Sequence, residues 1–178
     1  MHKSPELTVS VVIPVYSGEA TLPTLVAELA QQRENQQTPG GRTYRISEVL
    51  LVWDRGPDTS DQTIRELARQ YDFIRPIWLS RNFGQHPATL AGMTSASGDW
   101  IVTMDEDGQQ DPAFIPSMLD TAYQERAQLV YASPTNEAPH GALRNAASGI
   151  TKWFFVKILT EGDFSEFNDK LVLRNDPQ

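Results

Sequence analysis

The sequence predicts an α/β domain: a Rossmann-like, mostly parallel sheet with helices on both faces. Three observations carry that reading. Short apolar runs recur along the chain, stretches of helical apolar spacing separate them, and two of the runs end in carboxylates. Leu50-Leu51-Val52-Trp53 stops at Asp54, and Ile101-Val102-Thr103-Met104 stops at Asp105-Glu106-Asp107. Strands of an open α/β sheet are buried on both faces, and the residues just past their C-terminal ends build the site.

Residues 1 to 6 read as a tail. Leu7 to Tyr16 holds the first strand, which Pro14 is expected to stop by Ile13 because it lacks a ladder N–H. Ser17-Gly18-Glu19 turns the chain. Thr21 to about Gln32 is helical, with Leu22, Leu25, Val26 and Leu29 on one face and Pro23 tolerated in the first turn. Gln31 to Arg45 reads as a loop, and Ile46 to Trp53 as the second strand. Asp61 to Tyr71 is a helix, and Ile74 to Leu79 a strand weakened by Pro76. Pro87 to Ser95 is a helix ended by Gly98, and Trp100 to Met104 a strand. Asp111 as N-cap and Pro112 at the first position open a helix running over Ala113 to about Ala127. Gln128 to Ala132 is the fifth strand. Strand and helix alternate at βαβ spacing, which predicts the parallel sheet.

The 178 residues suffice for one domain with a hydrophobic core. The net charge of -8 argues against nucleic acid as a partner, which needs a basic surface. It leaves room for a nucleotide whose diphosphate is neutralised by a divalent cation. The lack of cysteine excludes disulfides, thiolate nucleophiles and zinc–thiolate sites. No apolar leader precedes the first strand, and no apolar run reaches the roughly 18 residues of a spanning helix, so the expected location is cytoplasmic.

Asp105 and Asp107 are the leading candidates for chemistry. Separated by one residue, they point the same way on a continuing strand and reach one cation from a turn. Mg²⁺ or Mn²⁺ takes oxygen ligands and keeps substrate phosphates. The bland alternative is a solvated acidic turn. Asp54, behind another strand, can accept from a nucleobase or stand near the metal, or belong only to the Gly56-Pro57-Asp58 turn. Tyr16 can stack on a base or close the core edge. Arg81-Asn82-Phe83-Gly84-Gln85-His86 is rich in donors suited to a diphosphate or sugar. His86 is an acid–base candidate or a solvated loop histidine, and Asp111 reads as a cap. Gly149 to Leu159 is either a core helix or an amphipathic helix on a membrane surface, with Lys152 and Lys157 at lipid phosphates and Trp153 and Phe154 inserted.

Taken in order, four stretches resemble the family-2, GT-A fold glycosyltransferases, and among them the group of dolichyl-phosphate-mannose synthase and bacterial undecaprenyl-phosphate sugar transferases. They are Val11 to Tyr16 with Glu19, Leu51 to Asp54 through Asp58, Leu79 to Gln85 through Gly92, and Gly98-Asp99 through Asp107, Gln109 and Pro112. The resemblance covers about residues 7 to 135. It implies a nucleoside pocket at Pro14, Val15, Tyr16 and Glu19, with Asp54 toward the base and Arg55 beside the phosphate or filling the pocket. Asp105 and Asp107 would hold Mg²⁺ or Mn²⁺ and the diphosphate, and with Arg81 form the catalytic set. Gln85 and Gln109 would border the donor sugar or phosphate. The implied reaction is inverting transfer from a UDP- or GDP-sugar to a polyprenyl phosphate, a lipid-phosphate acceptor whose anionic oxygen needs no strong base.

The chain also departs from the family pattern. Trp53 stands where Asp or Asn is usual, Arg55-Gly56 replaces Gly-Ser, Ser17-Gly18 replaces Asn-Glu, and Gly108 replaces Leu. The expected organisation is a nucleotide-sugar-binding core over residues 1–135 and a partial acceptor-side, amphipathic segment over 136–178, truncated or partly disordered. That segment, Lys152, Trp153, Phe154 and Lys157 above all, is expected to contact the inner membrane face or a membrane partner. Two other readings compete. A nucleotidyltransferase would carry Arg or Lys soon after the first strand, and Ser17 to Leu25 has neither. A catalytically degenerate sugar-nucleotide binder or assembly protein would accommodate Trp53, Arg55 and Gly108.

Overall fold

The computed structural model describes residues 6–34, 36–132 and 170–174. Strand β1 (Leu7–Val15) is followed by helix α1 (Leu22–Ala30), the short β2 (Gln36–Gln37), and β3 (Thr43–Trp53). Helix α2 (Ser60–Gln70), β4 (Ile74–Trp78), α3 (Gln85–Ser95) and β5 (Trp100–Thr103) come next. A 3-10 turn at Pro112–Phe114 leads into α4 (Ile115–Gln124), then β6 (Leu129–Ala132) and β7 (Lys170–Arg174).

Strand β1 pairs in parallel with β3 on one side and β5 on the other, and β3 pairs in parallel with β4. Strand β7 lies between β5 and β6, antiparallel to both. The mostly parallel sheet expected from the sequence is therefore present. Its apolar strands serve two faces. Val9, Val11, Ile13 and Val15 of β1 face a core built with α1, α2 and α4, through Leu22, Leu25, Ile64 and Leu119 among others. The alternate residue Val12 joins Leu50, Val52 and Ile101 under α3, where Ala88 packs.

This division follows from the winding. The chain runs from β1 outward through β3 to β4, then crosses back to β5 on the far side of β1. Right-handed crossovers in opposite directions place α1 and α2 on one face and α3 on the other. The direction reverses at β1, and the C-terminal ends of its neighbours splay open there. In register, Val15 lies opposite Trp53 and Trp53 opposite Trp78, so the loops after β1, β3 and β4 leave the sheet together.

The structure corrects several boundaries. Strand β1 continues through Pro14 to Val15. Peptide groups of successive residues face opposite sides of a strand. Val15 O accepts from the Asp54 N–H at 2.8 Å on the β3 side, and Val12 O from the Met104 N–H at 3.0 Å on the β5 side. Pro14 thus turns its nitrogen toward β5, where the paired register already ends at Val12 and Thr103. Pro76 escapes the same way: Phe73 O and the Leu79 N–H point at β3, so the nitrogen of Pro76 points off the sheet. The Gln31 to Arg45 loop contains β2, a two-residue hairpin partner of β3. The single helix expected after Asp111 begins as a 3-10 turn, and Pro116 falls in the first turn of α4, where its missing N–H costs nothing. Strand β7 was not anticipated. The proposed membrane-surface residues Lys152, Trp153, Phe154 and Lys157 lie outside the described residues. No helix among those described is long and apolar enough to cross a membrane.

Candidate active site

The C-terminal edge of the sheet carries a cleft of about 500 Å³. Pro14, Val15 and Tyr16 from the end of β1 form one wall. Asp54, after β3, lies at its base, and Asp105, Glu106 and Asp107, after β5, supply the acidic side. Asn82, Gly84 and Gln85, which lead into α3, complete it.

The walls are tied together by carboxylates. Asp54 is 3 % exposed, and it accepts the Phe83 N–H at Oδ1 and the Gly84 N–H at Oδ2, both at 2.7 Å. Its charge thus fixes the loop between β4 and α3. Glu106 accepts the Tyr16 N–H and the Ser17 N–H, one on each oxygen, at 2.9 Å. Burial pushes the Glu106 carboxyl up, these two amides pull it part of the way back, and the charges of Asp58 and Asp107 push it up further. Asp105 receives the Gln85 amide at 2.6 Å on Oδ1 and the Gln110 amide at 3.2 Å on Oδ2. Asp107 Oδ1 accepts the Gln109 main-chain N–H at 3.0 Å.

Two glycines permit this convergence. A Cβ on Gly56 would stand 1.4 Å from Tyr16 O, so only glycine lets the loop after β3 pass the loop after β1. Gly108 has φ +70°, the left-handed conformation that turns the chain directly after Asp107. The departure from Leu at that position therefore suits the turn as built.

Seven of the residues assigned from sequence meet in the cleft: Pro14, Val15, Tyr16, Asp54, Gln85, Asp105 and Asp107. Glu19, Arg55, Arg81 and Gln109 do not line it. Glu19 accepts the Thr59 N–H at 2.8 Å and braces the two loops behind the wall. Arg55, at φ +56°, lays its guanidinium 5.1 Å from the Trp53 ring centre and donates to Leu79 O at 3.3 Å. Arg81 covers the Phe83 ring at 4.7 Å. Trp53 itself packs edge-on against Trp78 at 5.8 Å, so this substitution falls on the packing beside the cleft. Asp111 caps the following turn by accepting the Ala113 N–H at 2.8 Å.

Sequence reasoning gave Glu106 and Gln110 no role of their own and named Asn82 only within the donor-rich stretch Arg81 to His86. Glu106 sits between the two aspartates, and only its contacts with a loop 90 residues earlier reveal its part. Gln110 carried no signal beyond its closeness to Asp107.

The cation expectation can be tested on the donor set. Hard divalent ions take oxygen ligands, and Asp105 and Asp107 present carboxylates on one side of the cleft. Among the described residues no group of three or more His, Cys, Asp or Glu could hold a metal ion alone. The set suits an ion that completes its shell with water and phosphate oxygens.

The sheet thus sets paired aspartates behind a central strand, at a cleft by its switch point, where open α/β sheets bind their ligands. Residues 10–173 match the family model described as Glycosyl transferase family 2, and the chain belongs to that family. It is similar to the undecaprenyl-phosphate 4-deoxy-4-formamido-L-arabinose transferase of Aeromonas hydrophila, with 38 % identity over 117 residues, 65 % of this chain and 34 % of the relative. The chain thus spans about a third of the length of that relative. The fold is shared with glucosyl-3-phosphoglycerate synthase from Mycobacterium tuberculosis, solved with Mn²⁺, UDP and phosphoglyceric acid. That match has a TM-score of 0.61 at 18 % identity and covers 94 % of this chain and 56 % of the other. It is also shared with a mannosyltransferase from Pyrobaculum calidifontis in complex with GDP-Man and Mn²⁺. Here the TM-score is 0.58 at 14 % identity, covering 73 % of this chain and 36 % of the other. These likenesses establish the GT-A fold.

Proposed function

We propose that the chain is the donor-binding, catalytic core of an inverting glycosyltransferase that moves a sugar from a nucleotide sugar to a polyprenyl phosphate. One observation carries the reading: a single cleft is lined by Asp105 and Asp107, by the Pro14–Tyr16 strand end and by Gln85, whose amide meets Asp105. The relatives named for undecaprenyl phosphate supply the acceptor class.

In this reading Pro14, Val15 and Tyr16 receive the nucleoside, and Asp105 and Asp107 hold Mg²⁺ or Mn²⁺ against the diphosphate. The ion, when bound, supplies positive charge for the departing nucleoside diphosphate. Asp54 acts at one remove, by fixing the main chain of Phe83 and Gly84 so that Gln85 faces the donor. Arg81, over the Phe83 ring, and Gln109, whose main-chain N–H holds Asp107, lie outside the cleft lining and support the loops that carry Gln85 and Asp107. The acceptor phosphate oxygen attacks the anomeric carbon as the bond to the diphosphate breaks. That oxygen is already anionic, so alignment and charge stabilisation do the catalytic work without a base. Residues 1–135 form the donor-binding core, whose sheet β7 completes from the later segment, and the rest of 136–178 serves the acceptor side, with Lys152, Trp153, Phe154 and Lys157 seating it on the inner membrane surface.

The degenerate-binder reading draws on Asp54, whose two oxygens are already engaged by main-chain N–H groups. Incubation with UDP- and GDP-sugars, undecaprenyl phosphate and Mn²⁺ separates the two. Formation of a glycosyl lipid by mass spectrometry supports the enzyme. Donor binding with no lipid product supports the binder.

A further inference from the structure

Asp105 sits between two glutamine amides that differ in kind. Gln110 is 7 % exposed and grips Asp105 twice: its Oε1 accepts the Asp105 main-chain N–H at 3.0 Å, and its Nε2 donates to Oδ2 at 3.2 Å. Gln85 is exposed and meets this residue with its Nε2, which donates to Oδ1 at 2.6 Å. The double grip calls for an acceptor and a donor on one rigid plane, which an amide side chain provides. Losing it would take a partner from a main-chain N–H and from a carboxylate oxygen in a part-buried site, whereas water can replace the exposed bond. A cation held by Asp105 from the cleft side would compete with the Gln85 amide for the charge on Oδ1.

The geometry points to a division of labour around Asp105, resting on the donor-and-cation reading above. Gln110 is a positioning residue that holds the Asp105 carboxylate ready for a divalent cation. Gln85 is an exchangeable placeholder: its amide leaves Oδ1 as the cation binds and then donates to a diphosphate oxygen of the donor. Cation binding and donor recognition are thereby coupled through one side chain at the start of α3.

The test uses the full chain and Mn²⁺ alone, with the free ion read by electron paramagnetic resonance. Gln85→Leu is expected to bind Mn²⁺ about threefold more tightly than wild type, because a competing hydrogen bond is gone. Gln110→Leu is expected to bind it about tenfold more weakly, the usual scale for removing the partner that orients a ligand. At saturating Mn²⁺, Gln85→Leu should bind UDP or GDP more weakly. A purely structural role would lower the thermal midpoint without this opposition of sign. Unchanged or weaker Mn²⁺ binding by Gln85→Leu overturns the placeholder, and that variant decides the matter even where Gln110→Leu fails to fold. If Asp107→Ala loses the ion while Gln85→Leu matches wild type, the placeholder fails and the metal site stands. Failure of wild type to bind Mn²⁺ overturns both.

Discussion

Asp54 Oδ2 accepts the Gly84 main-chain N–H at 2.7 Å, joining the end of β3 to the N-cap of α3. The same carboxylate takes the neighbouring Phe83 N–H, so it is a clamp on the loop that presents Gln85. Asp54→Asn places an amide donor against one of two main-chain donors. The expected cost is about 2 kcal/mol of stability, the scale for a lost buried bond to a charged group. Chemical denaturation measures it, and calorimetry with UDP or GDP and Mn²⁺ should show affinity reduced about tenfold. An Asn variant as stable as wild type would show that the clamp carries no weight.

Glu48 supplies a pH dependence. Burial pushes its carboxyl up, but hydrogen bonds from Ser10, Arg75 and Ser97 outweigh that and leave it below the ordinary carboxylate value of 4.5. Ser10 Oγ donates at 2.6 Å, the Ser97 N–H at 2.6 Å, and Arg75 pairs with the other oxygen. A lowered folded-state value means that the unfolded chain binds more protons between the two values. The network's contribution is therefore complete above about pH 5 and fades as pH falls through the folded value. Urea titrations of wild type and Glu48→Gln should show a constant gap from pH 7 to 5 that narrows toward pH 3. A gap that widens on acidification would contradict the assignment.

Gly108 should resist substitution. At φ +70° a Cβ costs about 1 kcal/mol or more, although the space around it is open. Gly108→Ala is expected to lose that much in denaturant titration and to weaken Mn²⁺ binding by shifting Asp107. Unaltered stability would mean that the turn relaxes freely.

The alternation of strands and helices was legible because burial on both faces leaves near-continuous apolar runs such as Val11-Val12-Ile13. The aspartates at the strand ends were legible for the same reason: a carboxylate directly behind such a run has to lie at the sheet edge. What sequence could not give was set by partners distant in the chain. Whether Pro14 ends β1 depends on where β5 stops beside it. Gln36–Gln37 becomes a strand only because Thr43 and Tyr44 are opposite. Asp54 reads as a ligand residue and lines the cleft, but its hold on amides some 30 positions later has no signal in the sequence around it. Glu106 shows the same limit, since its role depends on the loop carrying Tyr16 and Ser17.

The most direct test of the cation-bridged donor site is a thermal-shift titration of UDP and GDP, with and without Mn²⁺, in wild type and Asp107→Ala. The account predicts that one nucleotide raises the wild-type midpoint only when Mn²⁺ is present, and that the variant shows no such rise. Equal stabilisation of both proteins, or stabilisation of wild type indifferent to the ion, would contradict it.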